Sequence, residues 1–378
     1  MLKVAFRVDA SIAIGAGHVM RCLTLARALR NGAYCEFIVS HSGAALSSKI
    51  KASGYDVHVI ADIDNDPAQH AANTLAVMSP ETDLIIIDHY SLDAHYETRL
   101  YKKVSGVMVI DDLANRKHHC DLLLDGNLLP NSTSRYESLV PKDCITLLGP
   151  QYTLLREEFY AASPKRTAKG NLNHIPNIAL ETNEKEKRKR ILVCFGGTDP
   201  ENVTDKTLSA ISKLDASLFD VDVVIGSQHV DYAQIVTKVA QFPTMTLHVD
   251  TTQMAVLMQH ATIMIGAGGS MHWERCVSAL PSIVITLAAN QVATTQYLSE
   301  LGACNWLGES ETVTQDAIAH SAFALLNDAT ARQHMSQIAS KLVPIDGGAV
   351  AVVDVIVAQM NKIKGNTVLN RKILREEG

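Results

Sequence analysis

Glycine-rich segments of this chain carry the residue types that chemistry needs. The first reads Ile14-Gly15-Ala16-Gly17-His18-Val19-Met20-Arg21-Cys22. It follows the apolar run Val4–Val8 and opens a helical pattern, so a strand-to-helix turn is expected there. Gly15 and Gly17 let backbone N–H groups approach a ligand closely. His18 falls in the first helical turn, where the helix dipole favours a neutral imidazole. A neutral imidazole can accept a proton, which suits His18 to a general base. Asp9, at the end of the preceding strand, is placed to orient that ring. The plain alternative is a histidine that merely opens a helix. A G-x-G alone is a weak signal, and the full dinucleotide fingerprint is missing.

The second segment is Ile265-Gly266-Ala267-Gly268-Gly269-Ser270-Met271-His272-Trp273-Glu274. It too joins a strand to a helix, one that ends near Pro281. Gly268, Gly269 and Ser270 can present backbone N–H groups to a diphosphate. Glu274, one turn further on, can accept hydrogen bonds from a ribose diol. The alternative makes the glycines a tight turn and Glu274 a capping carboxylate for Ser270. Gly196 and Gly197, in Phe195-Gly196-Gly197-Thr198-Asp199-Pro200, form another such turn after a strand. Two of them in one half of the chain favour phosphate or sugar contact by at least one.

Asp88-His89-Tyr90 follows the apolar run Leu84–Ile87. It either faces a ligand or turns the chain, with Asp88 capping the next segment. Asp111-Asp112 has the same placement after Val107–Ile110. Adjacent carboxylates suggest a metal, but consecutive strand side chains point to opposite faces, which argues against a shared ion. His118-His119-Cys120 has no spaced partner pair and reads as a solvated loop. No metal and no other cofactor is expected.

The elements that must position these residues are short β-branched runs alternating with amphipathic segments. The runs are Val4–Val8, Tyr34–Val39, Val57–Ile60, Leu84–Ile87, Val107–Ile110, Leu122–Leu124 and Ile145–Leu148. Cys22, Leu25, Ala26 and Leu29 mark one face of a helix between the first two. Such alternation predicts a parallel sheet covered on both faces. From Ser163 to Arg190 the character changes: prolines, asparagines and the charged run Glu184 to Arg190 read as a linker. A second series follows, with strands at Ile191–Phe195, Val221–Ile225, Met245–Val249, Ile263–Ile265 and Ile283–Leu287. Ala349 to Ile363 reads as a helix, and the polar tail after Gly365 is expected to fray.

The expected architecture is α/β: two Rossmann-like doubly wound domains facing a central cleft. An N-terminal domain over residues 1–162 carries His18, the linker covers 163–190, a nucleotide-binding domain covers 191–345, and a helix and tail occupy 346–378. Ligands of such sheets bind outside the carboxyl ends of strands.

A length of 378 residues suits two domains, and 47% hydrophobic with 20% charged residues is a globular composition. The net charge of -6 argues against nucleic acid, whose phosphates call for concentrated Lys and Arg. The 7 cysteines are scattered with no C-x-x-C pair, which reads as reduced thiols in a cytoplasmic protein. No secretory signal is expected at the start, because Arg7 and Asp9 interrupt the first apolar run. The uncharged stretch after Arg275 is broken by Pro281, Asn290, Gln291 and Gln296, so a membrane span is not expected. The chain is taken as a monomer.

Arg7-Val8-Asp9-Ala10 followed by Ile14 to Cys22 resembles the amino-terminal signature of the nucleotide-sugar hydrolases of pseudaminic acid biosynthesis. Those enzymes release UDP from UDP-2,4-diacetamido-2,4,6-trideoxy-β-L-altropyranose. Asp88-His89-Tyr90, Leu154-Leu155-Arg156-Glu157-Glu158-Phe159 and Ala289-Asn290-Gln291 are similar to further motifs of that family. The resemblance spans nearly the whole chain and is most specific around His18. It implies a glycosyltransferase-B-like fold similar to the MurG transferase, a UDP-linked diacetamido trideoxy sugar as partner, and removal of UDP without a metal. It also implies His18 as the general base, with Arg156, Glu274 and Asn290 touching substrate or nucleotide. The charged run Glu184 to Arg190 stands out as an insertion. A glycosyltransferase of the same fold, with a hydroxyl acceptor replacing water, is the alternative. A nucleotide-sugar sensor without turnover is a further one.

Overall fold

A computed structural model of the chain describes residues 1–8, 17–41, 46–62, 66–161 and 188–376, with side chains described as far as residue 365. Asp9 and Gly15 therefore lie outside the described residues, as does most of the expected linker. The chain divides into two units: Met1–Asn127, Asn131–Leu155 and Asp346–Gly378 form the first, Leu128–Pro130 and Arg156–Ile345 the second.

The first unit is built on β1 (Leu2–Val8), β2 (Ala33–Ser40), β3 (Asp56–Ile60), β4 (Leu84–Asp88), β5 (Gly106–Ile110), β6 (Leu122–Asp125) and β7 (Ile145–Leu148). Between them run α1 (Gly17–Leu29), α2 (Ser47–Ala52), α3 (Pro67–Val77) and α4 (Ala94–Leu100). The sheet order is β3-β2-β1-β4-β5-β6-β7, with every neighbouring pair parallel. LIIID of β4 and GVMVI of β5 are buried along their whole length, as expected of strands covered on both faces. α1 buries Val19, Cys22, Leu23, Leu25, Ala26 and Leu29 in a core shared with Val4, Phe6 and Val8. Val352, Ile356 and Met360 of the last helix join the same core. The strand order reverses between β1 and β4, where Val8 pairs with Asp88. Chain segments leaving the two strands at such a reversal open a crevice at the carboxyl edge.

The second unit begins with α5 (Glu157–Ala161). Its strands are β8 (Lys189–Cys194), β9 (Phe219–Ile225), β10 (Met245–Val249), β11 (Ile263–Ala267), β12 (Ser282–Thr286) and β13 (Asn305–Glu309). They are ordered β10-β9-β8-β11-β12-β13, again all parallel. The connecting helices are α6 (Val203–Ile211), α7 (Tyr232–Ala240), α8 (Met254–His260), α9 (Met271–Val277) and α10 (Ala289–Glu300), followed by α11 (Gln315–Asn327) and α12 (Ala329–Leu342). α13 (Ala349–Glu376) returns to the first unit. The reversal here lies between β8 and β11, the strands that precede the two Gly-rich turns.

Some expectations are corrected. β13, sequence NWLGE, has no apolar alternation because it is a half-buried edge strand with a register shift opposite Val284/Ile285. β8 starts at Lys189 rather than Ile191, its polar start held by Arg190 Nη1 to Asp222 at 2.6 Å. α13 runs on to Glu376, past the point where a frayed tail was expected. Among the described residues no helix is long and apolar enough to cross a membrane.

Candidate active-site residues

In the first unit the parallel register of β1 and β4 gathers a charged cluster. His18, buried in the first turn of α1, has Nδ1 2.5 Å from Asp88 Oδ1. Arg21, one turn along the same helix, forks onto that carboxylate, with Nε 2.6 Å from Oδ2 and Nη2 2.6 Å from Oδ1. Cys22 Sγ lies 3.6 Å from Oδ2. Burial opposes the charge on Asp88, but Arg21 and then His18 outweigh it and hold the carboxyl well below its usual range. A carboxylate only accepts, so Nδ1 of His18 donates the bond to Asp88. The ring of Tyr90 stands edge-on to His18 at 4.5 Å between centroids. Asp88 is the described carboxylate that holds the His18 ring, while Asp9, expected in that role, lies outside the described residues.

The surrounding groups are already engaged. His89 Nδ1 accepts the Ser91 N–H at 3.1 Å, and burial pushes this imidazole down to about 2, which makes it a poor base. Arg116 fastens the strand end, with Nη2 2.7 Å from the His89 carbonyl and Nη1 2.7 Å from Asp111. Asp112 instead accepts from Arg21 Nη1 at 3.2 Å, so the two adjacent carboxylates serve different partners. His118 is not in a solvated loop: it is buried, with Nδ1 2.7 Å from Glu97 of α4. Glu97 also accepts the His119 N–H, and of the two histidines His119 alone is exposed.

In the second unit Gly196 and Gly269 adopt φ of 95° and 78°, a region that side chains disfavour. A Cβ on Gly268 would come within 3.0 Å of Gln291 and Thr295, so glycine lets the first turn of α10 close onto this loop. Gln291 Oε1 accepts the Leu287 N–H at 3.0 Å, while Asn290 beside it is exposed. Beneath the loop, buried Arg275 donates Nη1 to the Ala267 carbonyl at 2.8 Å and Nη2 to His272 Nδ1 at 2.7 Å. His272 Nε2 then donates to Thr295 Oγ1 at 2.8 Å, and that hydroxyl donates to the Gln291 carbonyl at 2.6 Å. Burial, with Arg275, holds His272 well below its usual range, so it stays a neutral link. Gly197 accepts the Gly226 N–H at 3.0 Å, and Asp199 caps α6 through the N–H groups of Val203 and Thr204.

Glu274 is half-buried and makes no side-chain hydrogen bond to another described residue. Burial pushes its carboxyl up to about 7, against the pull of Arg156 and Arg275. Arg156 pairs with Glu158 at 2.7 Å and lies over the Phe159 ring at 5.0 Å. Ser270 makes no side-chain cap bond, and Glu274 stands four residues after it, one too many for a capping box. That leaves Glu274 available to a ligand. Arg21, His272, Arg275 and Thr295 were not singled out from sequence. For Arg21 the signal was the three-residue spacing from His18, which puts both on one helix face.

Two doubly wound parallel sheets in one chain define the glycosyltransferase-B fold. The MurG structure of Acinetobacter baumannii superposes with a TM-score of 0.63 at 16% identity, covering 94% of this chain and 99% of its own. Residues 208–346 match the C-terminal domain described as erythromycin biosynthesis protein CIII-like.

The chain resembles the UDP-2,4-diacetamido-2,4,6-trideoxy-beta-L-altropyranose hydrolase of Campylobacter jejuni, at 28% identity over 80% of this chain and 97% of that one. It is also similar to the spore coat polysaccharide biosynthesis protein SpsG of Bacillus subtilis, at 23% identity over 84% of this chain and 87% of that one.

Proposed function

We propose that the protein is a nucleotide-sugar hydrolase that releases UDP from a UDP-linked diacetamido trideoxy sugar, the step its Campylobacter relative is named for. The observation that carries the reading is the buried His18–Asp88 pair at the carboxyl edge of the first sheet. Asp88 holds the ring with Nε2 as acceptor, and Nε2 takes a proton from water. The water attacks the anomeric carbon, the bond from that carbon to the diphosphate oxygen breaks, and the sugar leaves with inverted configuration. UDP departs as a stable anion and needs no dedicated acid. Backbone N–H groups of Gly268, Gly269 and Ser270 are assigned to the diphosphate, and Glu274 to the ribose diol. Arg156, Asn290, Gln291, Gly196 and Gly197 are assigned to the rest of the substrate, and Tyr90 to the sugar beside His18. The protein is read as a cytoplasmic monomer that uses no metal.

Hydrolysis in ¹⁸O-water tests the chemistry. Incubated with the nucleotide sugar alone, after EDTA treatment, the protein is expected to release UDP and free sugar, with the label on the sugar. Label in UDP means attack at phosphorus. Release only after a hydroxyl acceptor is added returns the protein to the transferases. Loss of activity that magnesium restores ends the metal-free mechanism.

Glu274 gives a second expectation. A ribose diol that donates to this carboxyl favours its ionised form, so nucleotide binding drives the proton off. UDP affinity of the wild type therefore strengthens as pH rises through about 7. Calorimetry at pH values either side should show a larger gain than in Glu274→Gln, where only the ionisation of UDP remains. Glu274→Ala should weaken UDP by about 1–3 kcal/mol. Parallel pH curves for wild type and Glu274→Gln count against the ribose assignment.

A further inference from the structure

We propose that Arg21 is a positioning residue that keeps His18 able to accept a proton, by supplying the counter-charge that Asp88 would otherwise draw from the imidazole. This rests on the reading of His18 as the base. Asp88 is fully buried, and a buried carboxylate is stable only beside a cation. Two groups can serve: the Arg21 guanidinium and a protonated His18. The Arg21 fork reaches both oxygens of Asp88 at 2.6 Å, closer than the 3.2 Å contact of the same guanidinium with Asp112, so Asp88 has its own counter-charge before His18 is counted. His18 then has only one bond to give, Nδ1–H to Oδ1, and its Nε2 lone pair stays open. With the guanidinium removed, the imidazolium becomes the nearest counter-ion, and an imidazolium has no lone pair to offer water.

Arg21 is held for this role from a second side. Its Nη1 lies 3.2 Å from Asp112, so the guanidinium spans the carboxyl ends of β4 and β5. The other groups facing the cluster are Cys22 on α1, His89 and Tyr90 after β4, Arg7 of β1 acting on His89, and Arg135, whose Nη2 reaches the Asp112 carbonyl at 3.3 Å. Burial pushes the Cys22 thiol well up and the His89 imidazole down to about 2, so neither takes on charge across the neutral range. Arginine does not lose its proton either. Within this cluster Arg21 is the permanent cation that faces Asp88.

The test compares pH–rate profiles of wild type, Arg21→Lys and Arg21→Met in nucleotide-sugar hydrolysis. In Arg21→Met the acidic limb should move up by at least about one pH unit. That lowers kcat by up to about tenfold for each pH unit the limb moves, on its acid side, and lets it recover toward wild type at alkaline pH. Arg21→Lys keeps the charge and should keep the limb close to its wild-type place. A kcat reduced by the same factor at every pH would make Arg21 a packing residue and overturn the proposal. A second readout needs no turnover. In ¹⁵N-histidine protein followed across pH, the His18 signals should change from a bare Nε2 to two protonated nitrogens at a higher pH in Arg21→Gln than in wild type. Identical signals in the two proteins overturn the proposal even if Arg21→Met does not fold. If the wild type hydrolyses nothing, the hydrolase reading falls, and the imidazole signals alone still decide whether Arg21 holds His18 neutral.

Discussion

Replacing His18 with Asn is expected to lower kcat by about 10²–10⁴-fold, the usual contribution of one positioned base. The asparagine amide can still donate to Asp88 from nearly the place of Nδ1, so the cluster around Arg21 keeps its bonds. What disappears is Nε2, the atom assigned to accept the proton. UDP affinity should remain near wild type, because the residues assigned to the nucleotide belong to the second unit. Steady-state kinetics beside calorimetry with UDP separates the two effects. The neighbouring His89 cannot substitute, since burial holds it at about 2. A folded His18→Asn protein with near-normal kcat ends the assignment.

Asp88→Asn should be nearly as damaging, and for a different reason. The amide nitrogen of the introduced asparagine donates toward Nδ1, so the ring turns its own proton to Nε2 and loses its acceptor. No pH change restores the tautomer. The loss of about 10²–10⁴-fold in kcat should therefore persist from pH 6 to 9. Arg21→Met differs in recovering at high pH, which separates the orienting role of Asp88 from the charge-balancing role of Arg21. Arg21 also loses the closer of its two carboxylates in Asp88→Asn, so a thermal melt must accompany the kinetics. A folded variant within about threefold of wild-type kcat would show that Asp88 does not set the tautomer.

Much of the framework is legible from residue order. β4 and β5 are recognised because a strand covered on both faces is apolar throughout, as LIIID and GVMVI are. β13 is missed because an edge strand needs no such run, and NWLGE offers neither alternation nor a β-branched stretch. His118 is misread because its partner, Glu97, is 21 residues away on helix α4, and burial of a histidine depends on that partner. The alternative cap between Ser270 and Glu274 fails because the two are four residues apart, one too many for a capping box.

Sequence alone determined which residues could act. A histidine on a Gly-rich turn, a second Gly-rich turn with a carboxylate one helical turn on, and alternating strands and helices are all local patterns, and local patterns follow from backbone sterics and hydrophobic period. Tertiary structure decided how they act. Asp88 is 70 residues from His18 and reaches it only because β1 and β4 are neighbours at the strand-order reversal. The chain from Arg275 through His272 and Thr295 to Gln291 likewise joins two helices that only the sheet brings together. Charge compensation in a buried site is a property of distance in space, and distance in space is what the order of residues leaves open.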